Sequence, residues 1–283
     1  MVAILTDTTA SIPAPLVDEL GIGLVSYYIH RGLETLRDVQ DVGPDEFAHY
    51  LKTATELPKT ANPSPGDYLV EFERLAEQTN EIVALTMTSK GSGAYQSCCV
   101  AVEMFGKRRP QVKVQVVDTL QVAMAHGWAA IEAARAARAG LSLQDVVTRA
   151  VAVARQAIMI QTADTLRYLH MGGRIGRAQH LVGTLLNVKP LIGMEDGVIV
   201  ALGTANSRPK AYTQMIEIMR QRVGEGTRVK IALTHVAAPD QLELLQDMAT
   251  RHFSCVEVLT SALSPALAVH SGPGTVGISL IPA

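Results

Sequence analysis

The sequence predicts an α/β protein of two domains, an N-terminal doubly wound parallel sheet in residues 1–157 and a C-terminal domain with a mixed sheet and helices in 158–283, with a ligand cleft between them. Three observations carry this. The first half alternates short apolar, β-branched runs with helical runs, the rhythm of βα units around buried parallel strands. The second half breaks that rhythm at Met194-Glu195-Asp196-Gly197-Val198-Ile199-Val200, where an Asp-Gly pair between apolar runs signals a hairpin and antiparallel pairing. A length of 283 residues exceeds what one core usually fills, and no low-complexity linker separates the halves, so the domains pack closely.

Taken in order, residues 2–5 form a strand, 14–20 a helix behind Pro13, and 24–29 a strand followed by a loop through Asp41. Pro44 opens a helix to Leu51, since a first helical position has no use for the N–H that proline lacks. Residues 58–64 form a loop, 65–78 a helix, 82–85 a strand, 94–105 a helix and 112–117 a strand ending at Asp118. Helices follow over 122–139 and 143–156, split by Gly140. The second half then gives a strand at 158–162, a helix around 165–170, a break at Gly172-Gly173-Arg174-Ile175-Gly176 and a helix to about Leu186. After the hairpin come helix 210–223, strand 229–234, helix 240–253, strand 256–259, a short helix near 265–269 and strand 275–281.

A formal net charge of −2 without a basic stripe argues against nucleic acid as a partner. Apolar residues make up 48% of the chain and aromatic ones 4%, so any large cavity has aliphatic walls. The start carries no basic n-region and no apolar span, which implies a soluble, cytoplasmic protein without a membrane segment. The three cysteines, Cys98, Cys99 and Cys255, read as free thiols, and the dispersed histidines give no metal site.

Chemistry concentrates in three hydroxyl- and glycine-rich stretches, at 60–64, 88–93 and 270–274. The second, Thr88-Ser89-Lys90-Gly91-Ser92-Gly93, joins a strand to a helix N-terminus, where unpaired N–H groups and Ser89 or Ser92 favour an anion. It lacks the glycine and lysine spacing of a nucleotide loop. The first two stretches can converge on the rim at the carboxyl ends of the parallel strands; the third belongs to the other domain and would have to reach across, in which case His270 offers a cation or an N–H donor. Asp7 and Asp118 end strands on that rim and act there as caps.

Thr6-Asp7-Thr8, Lys59-Thr60 with Pro63-Ser64, Ser92-Gly93 with Tyr95-Gln96, Asp164 through Gly176 and Gly272-Pro273-Gly274 together resemble the DegV family over essentially the whole chain. The resemblance implies a carrier that holds a long-chain fatty acid between two α/β domains and presents it to a fatty acid kinase; the absence of metal-ligand and nucleotide motifs predicts no cofactor, and a monomer is expected. The resemblance further implies a carboxylate site at Thr60, Ser92, Gly93 and His270, with Arg174 at the head-group end and in contact with the kinase and Arg208 at a second docking position. Two departures stand out. Relatives usually read Thr-Ser-Gln-Pro-Ser where this chain has Thr60-Ala61-Asn62-Pro63-Ser64, and Leu-Ser-Gly-Thr where it has Gly91-Ser92-Gly93-Ala94. Each removes a hydroxyl from the expected cradle.

A fatty acid suits the physics, because each buried methylene contributes roughly 0.8 kcal/mol while an unpaired buried carboxylate costs several kcal/mol. The mouth therefore needs hydroxyl donors and is helped by a positive group. Two alternatives compete: a serine hydrolase with Ser92 as nucleophile, His270 as base and Asp7 or Asp118 orienting it, and a carrier of another amphiphilic carboxylate. Gly91-Ser92-Gly93 does not match Gly-x-Ser-x-Gly.

Overall fold

A computed structural model describes residues 1–181 and 188–283. The first half contains strands β1 (Ala3–Asp7), β2 (Gly23–Val25), β3 (Tyr28–Arg31), β4 (Glu34–Arg37), β5 (Lys59–Ala61), β6 (Glu81–Thr86) and β7 (Lys113–Asp118). Its helices are α1 (Ala14–Leu20), α2 (Pro44–Thr53), α3 (Pro65–Ala76), α4 (Ala94–Arg108), α5 (Ala123–Arg138) and α6 (Leu143–Gln156). The second half adds β8 (Ile158–Thr162), β9 (Lys189–Glu195), β10 (Val198–Ala205), β11 (Arg228–His235), β12 (Ser254–Ala262) and β13 (Val276–Pro282). With them come α7 (Arg167–Met171), α8 (Arg208–Val223), α9 (Pro239–His252) and α10 (Pro265–Ser271). The helix expected to run to about Leu186 falls in part outside the described residues; a 3₁₀ turn occupies Gly176–Leu181.

The parallel sheet has the order β2-β1-β6-β7 and the mixed sheet β10-β9-β8-β13-β11-β12, the latter antiparallel except for the pair β11 and β12. The hairpin expected at Asp196-Gly197 joins β9 to β10, with both turn residues at positive φ, 49° and 77°. The expectation of a single strand over 24–29 fails. Val25 pairs with Asp7 in the parallel sheet, whereas Tyr28 and Ile29 pair with β4 and β5 in a separate three-stranded sheet. No glycine or proline marks the corner in the sequence. Long-range bonds hold it instead: Tyr27 N–H donates to Thr8 Oγ1 at 3.2 Å, and Asp38 N–H donates to the Tyr27 carbonyl at 2.8 Å. The expected loops at 30–41 and 58–64 accordingly contain β4 and β5.

Helix α5 is alanine-rich and buried on nearly every face, as expected for a helix without a solvent side. One apolar cluster runs from Val83 and Leu85 of the parallel sheet through Trp128 and Ile131 of α5 to Met159, Ala232 and Ile281 of the mixed sheet. Glu132 on α5 binds Arg149 of α6 at 2.6 Å and Lys230 of β11 at 2.7 Å. Burial opposes its ionisation, yet hydrogen bonds from Lys230, Arg149 and Arg135 hold its carboxyl down at about 2. The two sheets are thus clamped across a shared core.

Candidate functional site

In the order β2-β1-β6-β7 the chain reverses its direction of winding between β1 and β6, so the segments leaving those strands part and open a crevice at their carboxyl ends. Thr9 after β1, and Met87, Thr88, Ser92 and Gly93 after β6, line a cavity of about 390 Å³ there. Its other walls come from Tyr27, from Thr60 on β5, from Met159 and Gln161 on β8, from Met194 and Ile199 of the hairpin, and from Ala266, Leu267 and His270 on α10. Thr88 Oγ1 donates to the Gly197 carbonyl at 2.8 Å, which pins the hairpin turn against the loop after β6.

At one end of the cavity the expected residues meet. His270 Nε2 lies 2.7 Å from Thr60 Oγ1. Thr60 belongs to the small sheet rather than to a loop on the parallel rim, and His270 sits in the last turn of α10 rather than in the turn beyond it. Ser92 Oγ accepts from Ala94 N–H at 3.2 Å and lies 2.6 Å from the Tyr27 hydroxyl. Gly93 caps α4 against Asn62, whose Oδ1 would lie 3.0 Å from a Cβ at that position. Tyr27 is the residue that sequence reasoning missed: it follows an apolar strand in an unbroken run, and its role depends on a corner that only the tertiary hydrogen bonds create.

The imidazole is neutral at physiological pH. Burial, and then the neighbouring Arg174 guanidinium, push His270 down to about 4. It is therefore a hydrogen-bonding group and not the cation that sequence alone allowed. Its Nδ1 is buried without a partner. An orphaned lone pair beside Gly172 costs less than an orphaned N–H, so we assign the proton to Nε2, which donates to Thr60. The Thr60 hydroxyl proton is then free for a ligand. The Tyr27 and Ser92 hydroxyls share one bond between them, and whichever of the two donates, the proton of the other is free. Burial, reinforced by Asp7, holds the Tyr27 phenol well above its ordinary value, so it stays protonated.

Two spare O–H donors thus face the polar end of the cavity, beside the N-terminus of α4. Arg174 lines the same end, its Nη1 donating to the Gly172 carbonyl at 2.7 Å. A second hollow, of about 550 Å³, lies on the far side of Thr60 and His270 and adds Lys59 and Arg167 to its walls. Arg208 lines neither space; it binds Asp164 at 2.8 Å and the Gly274 carbonyl at 2.7 Å.

Ser92 and His270 share no hydrogen bond, and the two carboxylates are otherwise engaged. Asp7 accepts from Thr9 N–H and Met87 N–H, each at 3.0 Å, and Asp118 from Ser89 N–H at 3.2 Å and Leu120 N–H at 3.0 Å. The hydrolase arrangement is absent among the described residues; Asp7 caps the turn at Thr8–Ala10, and Asp118 binds loop amides. No cluster of metal-ligating side chains occurs among those residues, and none of their helices is long and apolar enough to cross a membrane.

Fold and site together define an α/β protein with a cavity at the carboxyl ends of its parallel strands, whose polar end carries hydroxyls, a neutral imidazole and the Arg174 guanidinium. The chain belongs to the DegV family: the family model described as "Uncharacterised protein, DegV family" matches residues 1–283. A DegV domain-containing protein of Streptomyces coelicolor is 35% identical over 279 residues, 98% of this chain and 97% of that protein. A Thermus thermophilus structure described as fatty acid binding of a DegV family protein superposes with a TM-score of 0.92 at 28% identity, covering 100% of this chain and 99% of its own. A DegV lipid binding protein from Thermotoga maritima gives 0.90 at 25% identity, covering 99% and 98%.

Proposed function

We propose that this protein binds a long-chain fatty acid, with the acyl chain in the cavity between its two halves, divided near residue 157, and the carboxylate at Thr60, Ser92 and Gly93, where His270 holds the Thr60 hydroxyl in place. Tyr27 joins them. The observation that carries the reading is the pair of hydroxyl contacts, Thr60 with His270 and Tyr27 with Ser92, at one end of a cavity whose walls also include Met87, Val122, Met159, Met194 and Ile199. Two donors match the two oxygens of one carboxylate, and the fatty-acid-binding Thermus relative supports that ligand class. Each buried methylene adds roughly 0.8 kcal/mol, so the chain supplies affinity and the head group supplies orientation.

The carrier presents its acid to a partner kinase for acyl-phosphate formation. The hollow beyond Thr60 and His270, with Lys59, Arg167 and Arg174 on its walls, supports an approach by an anionic phosphoryl group from that side. Arg174 and Arg208 are the proposed docking residues, Arg174 being the more exposed. Denaturing extraction of the purified protein followed by mass spectrometry tests the core of this proposal. A stoichiometric long-chain fatty acid, retained less well by Ser92→Ala, is the expected result; no lipid and no binding of added fatty acid would overturn it.

A further inference from the structure

One polar side chain deep in the cavity has no partner. Gln161 on β8 is 7% exposed and lines the cavity beside Met159, Met194 and Ile199. Its side-chain amide makes no hydrogen bond to any described residue. The other polar groups of the inner wall are occupied: Thr9 Oγ1 donates to Asp7, and Thr88 Oγ1 to the Gly197 carbonyl.

The fold holds this amide in place. Gln161 stands opposite Gly277 on β13, and Gly277 opposite Thr234 on β11, so the three share one face of the mixed sheet. Gly277 leaves the space that the glutamine occupies, since a Cβ there would lie 2.6 Å from Gln161 Cγ and 3.4 Å from its Nε2. Met159, two residues earlier on β8, points the same way and packs into the core shared with α5. An apolar side chain of similar size would complete that wall without leaving an amide unpaired. The amide is unpaired within the protein and opens onto the cavity, so a ligand that displaces water from it must offer a hydrogen-bonding group in return or leave it unpaired.

We propose that the acid carried here bears a hydrogen-bonding substituent, a hydroxyl or keto oxygen, on its acyl chain at the depth of Gln161. The inference rests on the fatty-acid reading and narrows it. A hydroxyl answers both the N–H and the C=O of the amide, and a keto oxygen answers the N–H. A site with such a group discriminates against an analogue lacking the substituent, because its own polar atoms are then left unpaired.

Displacement of a fluorescent fatty acid, with palmitic acid and its monohydroxylated positional isomers as competitors, tests this on the wild type, Gln161→Leu and Gln161→Met. At least one isomer should bind about tenfold or more tightly than palmitic acid to the wild type, and both variants should lose that preference while keeping palmitic acid. The two variants are close in volume to glutamine, and melting curves confirm their fold. A wild type that binds palmitic acid and prefers no isomer overturns this inference alone, as do variants that keep the preference. Binding of neither class overturns it together with the fatty-acid reading.

Discussion

Gly172→Ala tests the head-group geometry through the imidazole that holds the Thr60 hydroxyl. The native φ at 172 is negative, and an added methyl group at such a site would by itself stabilise the fold by about 0.4–1 kcal/mol through the unfolded chain. Here its Cβ would lie 2.3 Å from His270 Nδ1 and 2.9 Å from Cε1, with the Tyr168 carbonyl at 3.1 Å. Carbon and nitrogen in ordinary contact stand about 3.5 Å apart, so the imidazole must retreat by roughly 1 Å. That movement breaks the 2.7 Å bond to Thr60. Overpacking of this kind costs about 1–3 kcal/mol, and the lost bond about 1 kcal/mol of that order again. The variant should therefore melt earlier and bind fatty acid about tenfold more weakly, read by denaturant titration and by displacement of a fluorescent acid. In a His270→Ala background the same change should lose most of its effect on binding, giving a coupling energy of about 1 kcal/mol or more. A Gly172→Ala protein with unchanged affinity, or with identical effects in the two backgrounds, would refute the close packing of glycine on imidazole as the reason for this residue.

Two predictions concern protons. Because His270 is neutral above about pH 4, fatty acid affinity should stay level between pH 6 and pH 8 in the displacement assay; a site anchored by an imidazolium would weaken by up to about tenfold per unit as pH rises above the imidazole pKa. Asp38 is fully buried, and burial raises its carboxyl from 3.8 to about 6, against hydrogen bonds from Thr8 and from Ala266 N–H at the start of α10. The folded state then binds more protons than the unfolded state between those two values, so wild-type stability gains from this group as pH falls. Relative to Asp38→Asn, the wild type should gain roughly 2 kcal/mol between pH 7 and pH 4, followed by urea denaturation at each pH. An unchanging difference would show that the carboxylate is already at ease in its pocket.

The β6–α4 turn, the Asp-Gly hairpin and the helices of both halves were legible because each is specified locally, by alternation, by 3.6-residue periodicity or by a turn pair. The small sheet was not. Its strands β3, β4 and β5 are three or four residues long, and β5 reaches β3 across more than twenty residues, so no local period announces it. The site divides in the same way. Thr60, Ser92 and His270 were named through the family resemblance, on stretches already rich in hydroxyls and glycine, and all three line one cavity. That the imidazole is neutral depends on burial from both halves and on Arg174, and this only the folded chain shows.

The two lost hydroxyls look different once Tyr27 is in view. Ala94 is fully buried in the same apolar cluster as Tyr27, Met87 and Val269. Ala61 lines the cavity one residue beyond Thr60 and offers only a methyl group. A phenol entering from the β2–β3 corner places its oxygen 2.6 Å from Ser92 and restores a donor to the cradle from another part of the chain.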